Sequence, residues 1–196
     1  SVTGVQTCAL PISGVDYECA SVLTGHTGDV KCVLFHPSGR FLFSGSFDNT
    51  IHVWKCEEET EWDAAQTVDT HNTTIWDLKM TKDGKYLIAT GAQGVIAVYS
   101  FNEGQLTEVD SIINPAYRDV YSVDINTSDS AYVFATGSGD NAIRIFRLNP
   151  TTNKIECVLE NRKAHENDVN MVKWINRTTL VSVGDDSKMK LWRIIY

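Results

Sequence analysis

Length, composition and charge place this chain among ordinary folded proteins and argue against a nucleic-acid-binding role. It has 196 residues, of which 42% are hydrophobic and 21% are charged, with a formal net charge of -8. A nucleic-acid surface needs clustered cations, and here they occur in pairs such as Arg162-Lys163. No run approaches the roughly 18 apolar residues that cross a membrane. Proteins are therefore the expected partners.

The first residues differ from everything that follows. Residues 2–12, VTGVQTCALPI, carry no charge and match the in-frame translation of a sequencing-library adapter. We therefore interpret residues 1–13 as a non-native leader. A signal peptide is disfavoured, because the stretch has neither a basic start nor an initiator Met. Native sequence is expected to begin near Gly14, inside a longer protein, so that residues 14–196 form one folded part.

The segment from Thr24 to Trp54 predicts three short antiparallel strands. Apolar and polar residues alternate within it, and Pro, Gly and Asp-Asn pairs mark tight turns. In chain order the parts are a Gly25-His26 pair, strand Val30–Phe35, the turn at 36–39, strand Phe41–Ser46, the turn at Asp48-Asn49 and strand Thr50–Trp54.

This segment recurs along the chain. Trp54 is matched by Tyr99, Phe146 and Trp192, at separations of 45, 47 and 46 residues, and each closes a similar run (IHVW, IAVY, IRIF, MKLW). Other matched sets are His26, His71 and His165; Ser44, Thr90, Thr136 and Ser182; and Asp48, Asp140 and Asp186.

A period in the forties with a Gly-His to Trp signature is typical of WD-repeat β-propeller blades, and the chain resembles that family. The predicted fold is all-β: four four-stranded antiparallel blades of an incomplete propeller, the last blade lacking its outer strand. The predicted blades span about 29–68, 74–112, 119–159 and 168–196, and residues 17–23 are expected to be the outer strand of an absent preceding blade.

A histidine, a hydroxyl and a carboxylate recur in a pattern that imitates a hydrolase triad. A triad is needed once, whereas this set repeats with the blade and is followed by Trp ten residues after the serine. By resemblance to WD repeats we expect a structural hydrogen-bond relay and no catalytic residue. Its members are His26, Ser44, Asp48 and Trp54 in blade one and His165, Ser182, Asp186 and Trp192 in blade four.

Blades two and three depart from this pattern. Blade two keeps His71 and Thr90 but has Gln93 near the Asp position and Tyr99 in place of Trp. Blade three keeps Thr136 and Asp140, has Tyr117-Arg118 in the region of the Gly-His pair, and ends in Phe146. Both blades are expected to be less stable than the complete ones.

One rim of the propeller is the predicted partner-binding surface. The loop before each inner strand and the turn after each second strand are expected to emerge at the mouth of the central channel. Aromatic side chains interleaved with carboxylates there suit a partner of basic character, although the aromatics could instead pack between blades. The predicted rim consists of Asp29, Lys31, Phe47, Thr74, Trp76, Asp119, Tyr121, Asp168, Asn170 and Asp185.

The cysteines indicate neither a metal site nor a cofactor. Outside the leader they are Cys19, Cys32, Cys56 and Cys157, and none forms a C-x-x-C pair. Scattered cysteines at strand positions are usually small buried hydrophobes. A reducing compartment, the cytoplasm and also the nucleus, is therefore expected, and no cofactor or metal is predicted.

Longer phrases resemble the C-terminal half of the cytosolic iron-sulfur assembly family of WD-repeat scaffolds. They are DYECASVLTGHTGDVKCVLFHP, EEETEW, GDNAIRIF and AHENDVNMVKW, within residues 16–196. The resemblance implies a seven-bladed parent that acts as a non-catalytic docking subunit and binds targeting-complex subunits and client apoproteins. It transfers no cluster-binding residue. The alternatives are an unrelated WD-repeat adaptor, such as a ubiquitin-ligase substrate receptor or peptide reader, and an enzyme, which only the repeated His/Ser/Asp sets favour.

Overall fold

The computed structural model describes residues 19–58, 61–70, 72–114, 116–128 and 132–195. Within these ranges the chain forms antiparallel sheets in which each strand pairs with its sequence neighbour. Three sheets have four strands and the last has three. The structure thus has the predicted all-β architecture, with a final blade that lacks a fourth strand. No helix in the described ranges is long and apolar enough to cross a membrane.

The four sheets, called blades one to four, contain fifteen strands. Blade one consists of β1 (Val30–Phe35), β2 (Phe41–Ser46), β3 (Thr50–Glu58) and β4 (Glu61–Asp69). Blade two consists of β5 (Ile75–Met80), β6 (Tyr86–Gly91), β7 (Val95–Asn102) and β8 (Gln105–Ile113). Blade three consists of β9 (Val120–Ile125), β10 (Val133–Ser138), β11 (Ile143–Asn149) and β12 (Lys154–Asn161), and blade four of β13 (Val169–Trp174), β14 (Thr179–Gly184) and β15 (Lys188–Arg193).

The segment predicted to be the outer strand of a preceding blade forms no strand within its described residues. Residues 17 and 18 lie outside the described residues, and residues 19–23 are in no strand. A strand is held by hydrogen bonds to a neighbouring strand. The assignment of residues 17–23 to the outer strand of a preceding blade therefore stays a prediction.

The hydrophobic core lies between blades, since neighbouring sheets pack face to face. Leu78 of β5 packs with Ile51 and Val53 of β3 between blades one and two. Residues at the equivalent strand positions pack in the same way at the other two interfaces. Val123 packs with Ile96 and Val98 between blades two and three. Val172 packs with Ile143 and Ile145 between blades three and four. Each such side chain stabilises the fold by about 1.5–3 kcal/mol when fully buried.

Side chains of one blade also bind the inner strand of the next. The backbone N–H of Val123 donates to Asp77 Oδ2 (3.1 Å), and that of Val172 donates to Ser122 Oγ (3.0 Å). The N–H of Trp174 donates to Asp124 Oδ2 (2.8 Å). On its channel side an inner strand has no neighbouring strand to pair with. These contacts therefore supply hydrogen-bond acceptors to its backbone N–H groups on that side.

A β-bulge recurs at the start of every inner strand. In β1, the ladder with β2 passes from Val30 to Cys32 and leaves Lys31 unpaired. A bulge inserts one residue and redirects its side chain. The residues skipped in this way are Lys31, Trp76, Tyr121 and Asn170, one in each blade. The bulges thus place one side chain per blade at the same end of the propeller.

Candidate functional site

The predicted relay of blade one is assembled in the structure. His26 lies between Asp48 and Ser44, with Nδ1 2.9 Å from Asp48 Oδ2 and Nε2 2.7 Å from Ser44 Oγ. The indole N–H of Trp54 donates to the same hydroxyl at 2.9 Å. Asp48 accepts a further bond from the backbone N–H of Thr27, so the relay ties the loop before β1 to the turn after β2.

Blade four repeats this arrangement closely. His165 lies 2.8 Å from Asp186 and 2.7 Å from Ser182, whose hydroxyl accepts the Trp192 indole N–H at 2.8 Å. Burial opposes ionisation of Asp186, but hydrogen bonds from His165 and two backbone N–H groups outweigh it and lower its pKa to about 2. The relay carboxylate is therefore charged at neutral pH.

Blade two does not form a relay of this kind among its described residues. His71 lies outside them, and the Thr90 hydroxyl bonds weakly to the Asp77 carbonyl at 3.5 Å. Gln93 takes a left-handed backbone conformation (φ 55°), and its N–H donates to Asp119 of the next blade. The hydroxyl of Tyr99 is buried and has no hydrogen-bond partner among the described residues.

In blade three an arginine takes the place of the missing histidine. Arg144 donates from both terminal nitrogens to Asp140 (3.1 and 2.5 Å) and also to Ser138 Oγ (3.1 Å). Its Nε donates to Glu160 at 2.8 Å. Burial disfavours the charged form of Asp140, but these bonds prevail and lower its pKa to about 2. Thr136 is buried in β10 nearby, and the predicted Tyr117-Arg118 pair takes no part in this network.

Sequence reasoning missed Arg144 because the alternation of β11 does not show which residue a buried side chain meets. A signal was available: Arg144 stands in the register occupied by His52 in blade one and Lys190 in blade four. Lys190 likewise approaches its relay carboxylate, with Nζ 3.8 Å from Asp186. A polar residue at this position of the third strand therefore indicates that a second side chain lies close to the relay carboxylate.

The relay does not have the geometry of a hydrolase. The Ser44 side chain is buried, and its oxygen already accepts the Trp54 N–H while bonding His26, so it cannot approach a substrate carbonyl. The same holds for Ser182 of blade four, which is 1% exposed. These contacts support a structural role for both serines.

One group of side chains in the described ranges has the composition of a metal site. His26, Asp48 and His52 each place a ligand atom within 4.8 Å of the others. The two imidazoles, however, stack face to face, with centroids 3.9 Å apart and planes 25° apart. Lone pairs of nearly parallel rings cannot converge on one tetrahedral ion. The group therefore lacks the geometry of a metal centre.

The predicted rim residues lie together at the bulged ends of the inner strands. Their aromatic members form a continuous ladder across blades one to three, with ring centroids 5.3 Å apart for Phe47 and Trp76 and 5.8 Å apart for Trp76 and Tyr121. Both contacts are edge-to-face, the favoured geometry for aromatic pairs. The aromatics thus pack between blades, as the alternative held, and also remain partly accessible, Phe47 being 43% exposed.

Each bulged aromatic residue is fixed by the first aspartate of the following blade. The indole N–H of Trp76 donates to Asp119 Oδ2 at 3.1 Å, and the hydroxyl of Tyr121 donates to Asp168 Oδ2 at 3.2 Å. Burial and then the charge of Asp168 raise the pKa of Tyr121. The ladder is therefore held rigidly before any partner arrives.

The remaining rim residues lie at the two ends of this ladder. Lys31 stands over the Phe47 ring, with Nζ 4.4 Å from the centroid, and pairs with Asp29 at 3.2 Å. At the other end the side-chain amide of Asn170 donates to Asp185. Thr74 is half-buried and makes no side-chain bond with the ladder residues.

Blades with inter-blade cores, relays and a common rim define this molecule as a partial β-propeller. A family model of the WD domain, G-beta repeat, matches residues 17–55, 62–100, 111–147 and 156–193, and the chain belongs to this family. Solved structures agree on the fold. U3-55K has a TM-score of 0.74 at 20% identity, covering 89% of this chain and 51% of that one, and Sqt1 of Saccharomyces cerevisiae has 0.75 at 20%, covering 86% and 46%.

Among curated relatives, a probable cytosolic iron-sulfur protein assembly protein CIAO1 homolog of Ixodes scapularis is 35% identical over 128 residues, 64% of this chain and 40% of the relative. A probable cytosolic Fe-S cluster assembly factor of Schizosaccharomyces japonicus is 26% identical, covering 91% and 39%. Actin-interacting protein 1 of Caenorhabditis elegans is 27% identical, covering 84% and 26%. The chain thus spans less than half the length of these relatives.

Proposed function

We propose that this chain is part of a non-catalytic scaffold that binds other proteins through the rim ladder, defined as Phe47, Trp76 and Tyr121. The observation that carries the proposal is the repeated bulge, which presents one side chain per blade at the same rim. Rigid aromatic side chains surrounded by polar groups are typical binding hot spots. The WD-repeat family serves mainly in protein-protein interaction, which agrees with this surface.

We infer further that the bound proteins belong to cytosolic iron-sulfur cluster assembly: subunits of the targeting complex and client apoproteins. The relatives named for that process support this role, and with it a cytoplasmic location. A second candidate is an unrelated adaptor, because actin-interacting protein 1 and pre-mRNA-processing factor 19 are also similar to this chain.

The rim is tested by partner capture with the full-length protein carrying Trp76→Ala and Tyr121→Ala. We expect loss of the captured proteins while the variant stays folded, with a thermal unfolding midpoint close to that of the control variant. The matched control is Tyr86→Ala with Tyr132→Ala, since these tyrosines form a similar edge-to-face pair between blades two and three (5.2 Å) at the opposite ends of the strands. Undiminished capture by the rim variant would place the binding surface elsewhere.

The assembly role is tested by identifying the captured proteins by mass spectrometry. Assembly subunits and iron-sulfur apoproteins should be recovered by the wild type and by the control variant, and not by the rim variant. Recovery of actin-associated or ubiquitin-ligase subunits in their place would favour the adaptor.

A further inference from the structure

The two ends of the rim ladder differ in charge. At the blade-one end, the Lys31 ammonium lies 4.4 Å from the Phe47 centroid and pairs with Asp29, whose side chain is 77% exposed. An ammonium over an aromatic face beside a carboxylate is a filled cation-binding position. This end is therefore neutral, and the protein's own side chain occupies it.

The local reason lies in the first residue of each blade. The bulged residues Trp76 and Tyr121 each reach the aspartate that begins the following blade. Lys31 is the equivalent bulged residue of blade one. The blade that follows it begins with Thr74 in place of an aspartate, so it offers the ammonium no carboxylate. Its ammonium therefore turns back to Asp29 and lies on Phe47.

The blade-four end carries an excess of negative charge. Asp168 accepts the Tyr121 hydroxyl and Asp185 accepts the Asn170 amide, both neutral donors. No lysine or arginine among the described residues forms an ion pair with either carboxylate. The charge of Arg118 reaches Tyr121 and partly offsets the rise in its pKa, but its Nε donates to the Gly139 carbonyl, so that one cation faces two carboxylates. Neutral donors leave the charge in place, so a cation is attracted here beside the Tyr121 ring.

We propose that Lys31 determines which segments the rim accepts. It occupies one of two cation positions on the ladder, so the rim takes a segment with a single basic side chain, seated at the blade-four end against Tyr121, Asp168 and Asp185. A guanidinium suits this position better than an ammonium, because its plane stacks on a ring while its edge bonds carboxylates. This inference rests on the proposed protein-binding role of the rim.

The test uses two acetylated, amidated peptides, Arg-Gly-Gly-Gly and Arg-Gly-Gly-Arg, titrated into the full-length protein. The flexible Gly-Gly spacer lets both arginines face the ladder and span up to about 10 Å, which is close to the two successive ring separations of 5.3 and 5.8 Å. The indole N–H resonance of Trp76 reports binding at the middle of the ladder. For the wild type, we expect the two dissociation constants to differ by about twofold at most, the statistical gain from two equivalent arginines.

In Lys31→Met the vacated position should let the second arginine bind. We expect the two-arginine peptide to bind about fivefold more tightly than the one-arginine peptide. The control is Lys188→Met. Lys188 is an exposed lysine on the same rim that pairs with Glu166, away from the ladder. This change should leave the ratio of the two dissociation constants at its wild-type value. Asp168→Asn with Asp185→Asn should weaken the one-arginine peptide by about fivefold.

Three results would overturn the proposal: an unchanged ratio in Lys31→Met, an unchanged one-arginine affinity in the double aspartate variant, or no shift of the Trp76 resonance with either peptide. Failure of the proposed function is a separate result, since it appears as undiminished partner capture by the Trp76 and Tyr121 variant. Thermal unfolding of each variant confirms that the fold is intact.

Discussion

At the scale of single residues, the serine hydroxyl of each complete relay connects two other side chains. Ser44 Oγ accepts the Trp54 N–H and bonds His26 Nε2, and Trp54 is 4% exposed. A buried donor without a partner costs about 1–3 kcal/mol. We therefore expect Ser44→Ala to lower the free energy of unfolding by about 1–2 kcal/mol in urea titrations.

Ser182→Ala is the matched comparison, since Ser182 makes the same two contacts in blade four. A similar loss is expected there. If Ser44→Ala left stability unchanged but abolished a hydrolytic activity of the full-length protein, the structural interpretation of the relay would be wrong.

The relay carboxylates make stability depend on acidity. The pKa values of Asp140 and Asp186 are lowered to about 2 from an ordinary 3.8. A lowered folded-state pKa contributes stability that is present above the unfolded value and is lost as pH falls through the folded value. We expect the urea midpoint to fall between about pH 4 and pH 2, and to fall less steeply in Asp140→Asn. An equally steep fall in that variant would contradict the role of Asp140.

At the scale of elements, blade three depends on one cation. Arg144 is 6% exposed and is the ion-pair partner of both Asp140 and Glu160. Removing one partner of a buried ion pair typically costs 3–5 kcal/mol. We expect Arg144→Ala to destabilise the protein by about 3 kcal/mol, measured by chemical unfolding.

Lys190→Ala is the comparison for this prediction, because Lys190 has the same register but lies 3.8 Å from its carboxylate, which His165 already bonds. Its cost should stay below about 1 kcal/mol. Equal losses for the two variants would mean that Arg144 does not replace the histidine.

The strands and the relay follow from the repeat, and the bulges do not. The sequence indicates β1 and β2 with the bounds that the structure has, because alternation and turn residues are local signals. A bulge adds one residue without a local mark, so the sequence could suggest that Trp76 and Tyr121 reach the rim but not that they touch. Contacts such as that of Trp76 with Asp119, 43 residues away, depend on how blades pack.

At the scale of the whole molecule, the two end blades present faces that are buried elsewhere. Val33 of blade one is equivalent in position to the buried Leu78 of blade two, but it is 65% exposed. Leu191 of blade four is equivalent to the buried Val53 of blade one, and it is 63% exposed. Apolar faces of this kind promote association. We expect the isolated 196-residue chain to self-associate with rising concentration in sedimentation velocity experiments.

Val33→Asp with Leu191→Lys should reduce this association, because a charge on either face opposes its burial. The control is Thr107→Asp with Thr151→Lys, the same change in charge at exposed positions. An isolated chain that stays monomeric and unfolds cooperatively would contradict the prediction.

The side chains that bind the next blade's inner strand bear on how propellers can be recombined. The Asp77 carboxylate belongs to blade two, yet the donor it satisfies is the N–H of Val123 in blade three, and Ser122 stands in the same relation to Val172. A blade grafted alone into another propeller would arrive without the acceptor for its own inner strand. The transferable unit is therefore a blade together with the inner strand of the preceding one, and chimaeras joined at that boundary should fold where chimaeras joined at the blade edge fail.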